Sequence, residues 1–400
     1  MIMSRINEID SFLRKLSQLA KSSNYGIDED IVYEALKRYG FTNEEYKNGF
    51  AISQYFDYWI DYFKNKNNIG VFVHPIQKNF LQFWNERDFD TEYIKLYVSV
   101  DANSMLKSVN EIFTELEKMN AVQGSKVAPR VRSDSIVLRI KNEKDVKEII
   151  EFINNNKTIK NGSKKTNPFM LREGIVGLAY DDNLSYNSAV SFLISEYIKQ
   201  KKENQGLENV NCIDFSNYVA SFSRCLVTSK DFLKKFMKTA YYKQNSDRIE
   251  YYGQSDVLSN IKRVFDLIDF NLNDNNTYED FITMYKNSKE EKEELMNDFN
   301  KLLIDTHELF INSCRETYQK YGTRQLAGAI DKAINGDYSS FTNDNNLRET
   351  MKKYMGKEEI KKIVDGLIFS SEAVFRKSEG YTCARIIENM YKEETNSKSK

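Results

Sequence analysis

The stretch "GSKVAPRVRSDSIVLRI", Gly124 to Ile140, carries Lys126, Arg130 and Arg132 in front of a strand-like run, and "KLYVSV" carries Lys95 and Tyr97. Clustered cations of these types suit anion chemistry. An arginine fork gives an oxyanion two parallel hydrogen bonds and stays charged. A lysine crowded by other cations loses its proton more readily and can act as a base. A second lysine can stabilise negative charge developing on oxygen. In an extended strand alternate residues share a face, which would put Arg130, Arg132 and Asp134 in line with Ile136, Leu138 and Ile140, and Lys95 in line with Tyr97. The plainer alternative is a set of rim charges, with Arg132 and Asp134 in a surface ion pair worth at most about 1 kcal/mol.

Any such anion site must be local. The chain of 400 residues has 58 basic and 59 acidic side chains, a net charge of −1, so no global field draws it onto nucleic acid or an anionic membrane. Neither partner is expected. Cys212, Cys225, Cys314 and Cys383 are widely spaced with no C-x-x-C pair, and His74 and His307 are the only histidines. That pattern predicts reduced thiols and no metal site. No apolar run approaches the roughly 20 residues that span a bilayer. The opening "MIMSRINEIDSFLRKLSQLAKSSNYG" has an amphipathic helical period, not the apolar core of a secretory signal. A cytoplasmic protein, or one injected into a host cytosol, is the expectation.

Three regions position these residues. Residues 1–88 read mainly helical, in "DEDIVYEALKRYG" and "AISQYFDYWIDYF", with a short strand "IGVFVHP". Residues 89–204 alternate: the strand "YIKLYVSV", a helix from "DANSMLKSVNEIFTELEKMN" capped by Asp101 or Asn103, the strand "DSIVLRI", and the helix "NEKDVKEIIEFINNN". A polar linker, "KTIKNGSKKTN", leads to "PFMLREGIVGLAY" and the helix "NSAVSFLISEYIKQKK". Residues 205–400 read helical throughout, with one long helix or two nearly collinear ones between Tyr278 and Tyr321. The predicted class is α+β: a helical N-terminal segment, a central α/β layer domain with a small sheet, and a large all-helical C-terminal bundle.

The "YVSV" strand, the lysine before the next strand, Arg132-x-Asp134, the Pro-Phe segment leading to Gly177, and Ser185-Tyr186 at a helix start resemble the HopA-type effector family. That family includes secreted effectors and lyase components of lanthipeptide biosynthesis. The resemblance covers roughly residues 30–200, and the remainder has no recognised counterpart. HopA-like lyases are in turn similar to the OspF and SpvC phosphothreonine lyases, which eliminate phosphate without metal or cofactor. The resemblance implies Lys126 as general base, Lys95 as stabiliser of the enolate-like charge, and Arg130, Arg132 and Arg172 as phosphate ligands. The family's acid histidine is Tyr97 here, and Val190 stands where many relatives carry a basic residue. A phenol, with a reference pKa of about 10, is less suited to acid work at neutral pH than an imidazole. His74 is the other possible acid.

Two functions follow as expectations. One is a cofactor-independent carbon–oxygen lyase acting on phosphothreonine or phosphoserine in a peptide or protein, in lanthipeptide-type maturation or as an effector. The other is a non-catalytic HopA-like effector or counter-defence protein that binds a protein target.

Overall fold

In the computed structural model the described residues are 5–334, apart from 23–25, 48–50, 65–68, 74–79, 85–92, 181–183 and 322, together with residues 340, 344, 346 and 347. The fold is α+β. Seven strands, β1 (Gly70–Val73), β2 (Leu81–Trp84), β3 (Ile94–Val98), β4 (Gln123–Val127), β5 (Ile136–Ile140), β6 (Leu171–Glu173) and β7 (Val176–Tyr180), form one sheet in the order β1-β2-β4-β5-β3-β7-β6. Every pairing is antiparallel.

The two faces of the sheet differ in chemistry because side chains alternate along each strand. Leu81 and Phe83, then Val127, Ile136 and Leu138, then Leu96 and Leu178 define one face, and all are buried. The helices Ala102–Lys118 and Glu143–Asn155 cover it with apolar stripes that include Val109, Ile112, Phe113, Ile149 and Ile153. Phe83 stacks on Phe113 with ring centroids 3.7 Å apart. The opposite face is polar, carrying Gln82, Lys126, Arg139, Lys95, Tyr97 and Arg172.

Local chemistry sets the element ends. The helix Ala102–Lys118 begins at Asp101, whose carboxylate accepts from the Ser104 amide at 2.8 Å. Asp101→Ala should cost about 1 kcal/mol, the usual worth of such a cap. It would be read as a lower urea midpoint with an unchanged slope. The β6–β7 hairpin turns at Gly174, where φ is +63° and an added Cβ would lie 2.2 Å from Asn154 Oδ1. Asn154 closes this turn by accepting from the Ile175 amide and donating to the Glu173 carbonyl.

Several sequence expectations need correction. The segment expected to be a linker contains a short helix, Lys157–Gly162, with Ile159 and Gly162 buried. β2 and β4 add two strands to the expected set. Of the two alternatives for Tyr278 to Tyr321, one long helix or two, the chain takes the second, with helices Tyr278–Glu290 and Lys292–Tyr321. By its internal contacts the chain divides into two compact units: Met1–Ala220 with Arg263–Ser288, and Ser221–Lys262 with Lys289–Lys400. The N-terminal helices therefore share a unit with the sheet: Glu8 is bonded to Arg172 of β6, and the Lys37 carbonyl accepts from the Ser133 amide in the loop between β4 and β5. In the second unit, Phe310, Ile311 and Cys314 pack with Leu326, Ala329 and Ile330 into a cluster of their own.

Candidate functional site

One lateral row crosses all seven strands on the polar face. Its cross-strand partners are Phe72, Gln82, Lys126, Val137, Tyr97, Gly177 and Arg172, in that order. Directly opposed residues in an antiparallel sheet share a face, so Lys126, Tyr97 and Arg172 point to the same side. Lys95 lies two residues before Tyr97 and joins them. Lys126 and Tyr97 are separated by two strand spacings, about 10 Å. Lys126 is half-buried, whereas Lys95 and Tyr97 are buried at 5% exposure each.

Arg132 reaches this face by a different route from the one alternation predicts. The chain is not extended from 130 to 135. It forms the loop of the β4–β5 hairpin, closed by Ser135 N–H to the Arg132 carbonyl and Ala128 N–H to the Ser135 carbonyl. The tight turn folds Arg132 back onto Asp134, with Nη2 to Oδ2 at 2.7 Å and Nε on Oδ1. Asn187, in the first turn of the helix Tyr186–Glu203, donates to Asp134 Oδ2 at 2.8 Å and accepts from Asn167. Arg132 also lies near the Tyr33 hydroxyl, and the Phe80 ring faces both its guanidinium at 5.7 Å and the Lys126 ammonium at 4.8 Å. The expected surface ion pair is thus an interior one.

The electrostatics follow from that burial. Desolvation would raise the Asp134 carboxyl, but the charge and hydrogen bonds of Arg132, with Lys126 adding to them, hold it below the usual 3.8. A carboxylate therefore stands beside the expected base. A carboxyl depressed in the folded state contributes stability that is present above its unfolded value and is lost as pH falls through the folded one. Thermal unfolding followed from pH 7 into the range below about 4 should show a steep acid loss in the wild type. Asp134→Asn should lower stability at neutral pH and flatten that loss.

The remaining residues divide. Lys95 donates from Nζ to the Leu184 carbonyl at 3.1 Å. Arg172 is engaged by Glu8, Nη1 to Oε2 at 2.7 Å, and by the Thr166 carbonyl at Nη2. Glu8 also accepts from Lys165 and Tyr39. Burial works against its ionisation, but Lys165, Arg172 and Tyr39 together keep its carboxyl below the usual range. Arg130 is exposed, and its main chain bridges to Ala51, so it does not share the row. His74 lies outside the described residues. Glu8, Tyr33, Asn187 and Arg139 were not anticipated. Of these only Arg139 had a signal, as the one charged side chain in "IVLRI" at a position that pairs across to Lys95.

No protein-family model matches the chain, and no curated protein matches it. Among solved structures, an effector protein from Pseudomonas syringae pv. tomato strain DC3000 aligns with a TM-score of 0.37 and 13% identity, covering 54% of this chain and 94% of that one. A likeness at that level establishes neither fold nor activity. Among the described residues no helix is long and apolar enough to cross a membrane.

Proposed function

We propose that the polar sheet face binds a phosphorylated threonine or serine and eliminates its phosphate. The observation behind this reading is the shared row, which sets Lys126 and Tyr97 on one side of the sheet with Lys95 beside them. In the reaction the Lys126 amine takes the proton from the substrate α-carbon. The electron pair forms the Cα–Cβ double bond, and the Cβ–O bond breaks to release phosphate. Lys95 stabilises the enolate-like charge on the amide oxygen. Tyr97 protonates the departing oxygen in this reading, although phosphate can leave unaided. The product is a dehydrated residue and inorganic phosphate, and no bond in this scheme is made to a cofactor.

A second reading has its own support. Arg132 and Arg172, both expected to hold phosphate, are forked onto Asp134 and Glu8. A face whose arginines are spent internally suits a non-catalytic, effector-type protein that acts by binding a protein target. Phosphate release from phosphothreonine peptides, measured in the presence of a chelator, separates the two. Release that leaves a dehydrated residue supports the lyase. Intact peptide across a diverse phosphopeptide library supports the binding protein.

A further inference from the structure

Arg139 stands directly opposite Lys95 in the β3–β5 pairing. It is two residues beyond Val137, the cross-strand partner of both Tyr97 and Lys126, and so shares their face. Two cations directly opposed across a sheet repel each other, and an anion bound between them relieves that repulsion.

The hydrogen bonding of Arg139 sets it apart from the other arginines of the face. Its Nη1 makes one long bond, 3.3 Å, to the Gly124 carbonyl. Its Nε is buried without a hydrogen-bond partner. A buried donor left unpaired is costly, and such groups are few in folded proteins. Arg132, by contrast, places Nε and Nη2 on Asp134. Arg172 also has an unpartnered Nε, but both of its terminal nitrogens are occupied. Among the described residues no carboxylate is paired with Arg139.

We infer that Arg139 is the phosphate-binding arginine of this face, taking the dianion of a phosphate monoester together with Lys95, which stands directly opposite it. The inference rests on the reading of the face as a phosphate site, and it moves the anion-holding role from Arg132 and Arg172 to a residue of β5.

The test is ligand-dependent thermal stability of the full chain, at ionic strength held constant with sodium chloride. The probes are inorganic phosphate, a phosphothreonine peptide and its unphosphorylated form. Phosphate and the phosphopeptide should raise the unfolding midpoint saturably, and the unphosphorylated peptide should not. Arg139→Gln should weaken both responses at least about tenfold, as expected for loss of charge-assisted hydrogen bonds. Arg139→Lys keeps the charge without the fork and should weaken the phosphopeptide response less. A wild-type response in Arg139→Gln, or no response in the wild-type protein, overturns the inference. Should Arg139→Gln not fold, an unaltered phosphopeptide response in Arg139→Lys has the same force. Phosphopeptide binding through Arg139 without elimination would sink the lyase and keep this site. Elimination with an unchanged KM in Arg139→Gln would do the reverse.

Discussion

Arg132→Ala should cost about 3–5 kcal/mol of folding stability, the range found when one partner of a buried ion pair is removed. The reason is what remains behind. Asp134, with its side chain 9% exposed, would keep the Asn187 amide but lose the guanidinium that offsets its desolvation. The β4–β5 loop would lose the same anchor, because Arg132 ties the turn to Asp134 and reaches the Tyr33 hydroxyl of the helix Glu29–Arg38. Chemical denaturation with circular dichroism reads this as a large drop in midpoint. Replacing both partners, Arg132→Met with Asp134→Leu, should recover much of the loss, since no uncompensated charge then stays inside. A midpoint unchanged in Arg132→Ala would mean that the pair contributes nothing and that this arginine is held for some other purpose.

Lys126→Ala should lower kcat for phosphate elimination by about 10²–10⁴, the usual contribution of a positioned general base. The amine acts on the α-carbon proton only in the transition state, so the loss should fall mainly on kcat and leave much of the binding. Lys126 is half-buried at a strand position whose partners are Gln82 and Val137, and truncating it leaves no cavity in the apolar face. Its folding stability should therefore stay close to that of the wild type. Single-turnover kinetics on one phosphopeptide, with stability measured in parallel, checks both halves of this expectation.

The helices were legible because their signals are local. Asp101 and Ser185 are capping residue types placed just before apolar runs with a helical period, and each accepts from the amide three residues on. β3 was legible for the same kind of reason, since "IKLYV" alternates between an apolar and a polar face. β4, "QGSKV", has no such pattern: Gly124 and Ser125 interrupt it, and it becomes a strand by pairing with both β2 and β5. Alternation misplaces Arg130 and Arg132 because they lie in a hairpin loop, where the strand period does not hold. Pro129 and the run Ser133-Asp134-Ser135 are turn-forming residues, and they were the signal that the chain bends there. Glu8 carries no local signal of its role, because it meets Arg172 from 164 residues away and only the fold brings them together.

The shared row of Lys126 and Tyr97, with Lys95 beside it, is the center of the account, and mass spectrometry of a phosphothreonine peptide library tests it most directly. The wild-type protein, with a chelator present, should convert at least one peptide to its dehydrated form with stoichiometric release of phosphate, and Lys126→Ala should leave that peptide intact. Every peptide unchanged by the wild-type protein, hydrolysis back to threonine, or elimination at an undiminished rate in Lys126→Ala would contradict it.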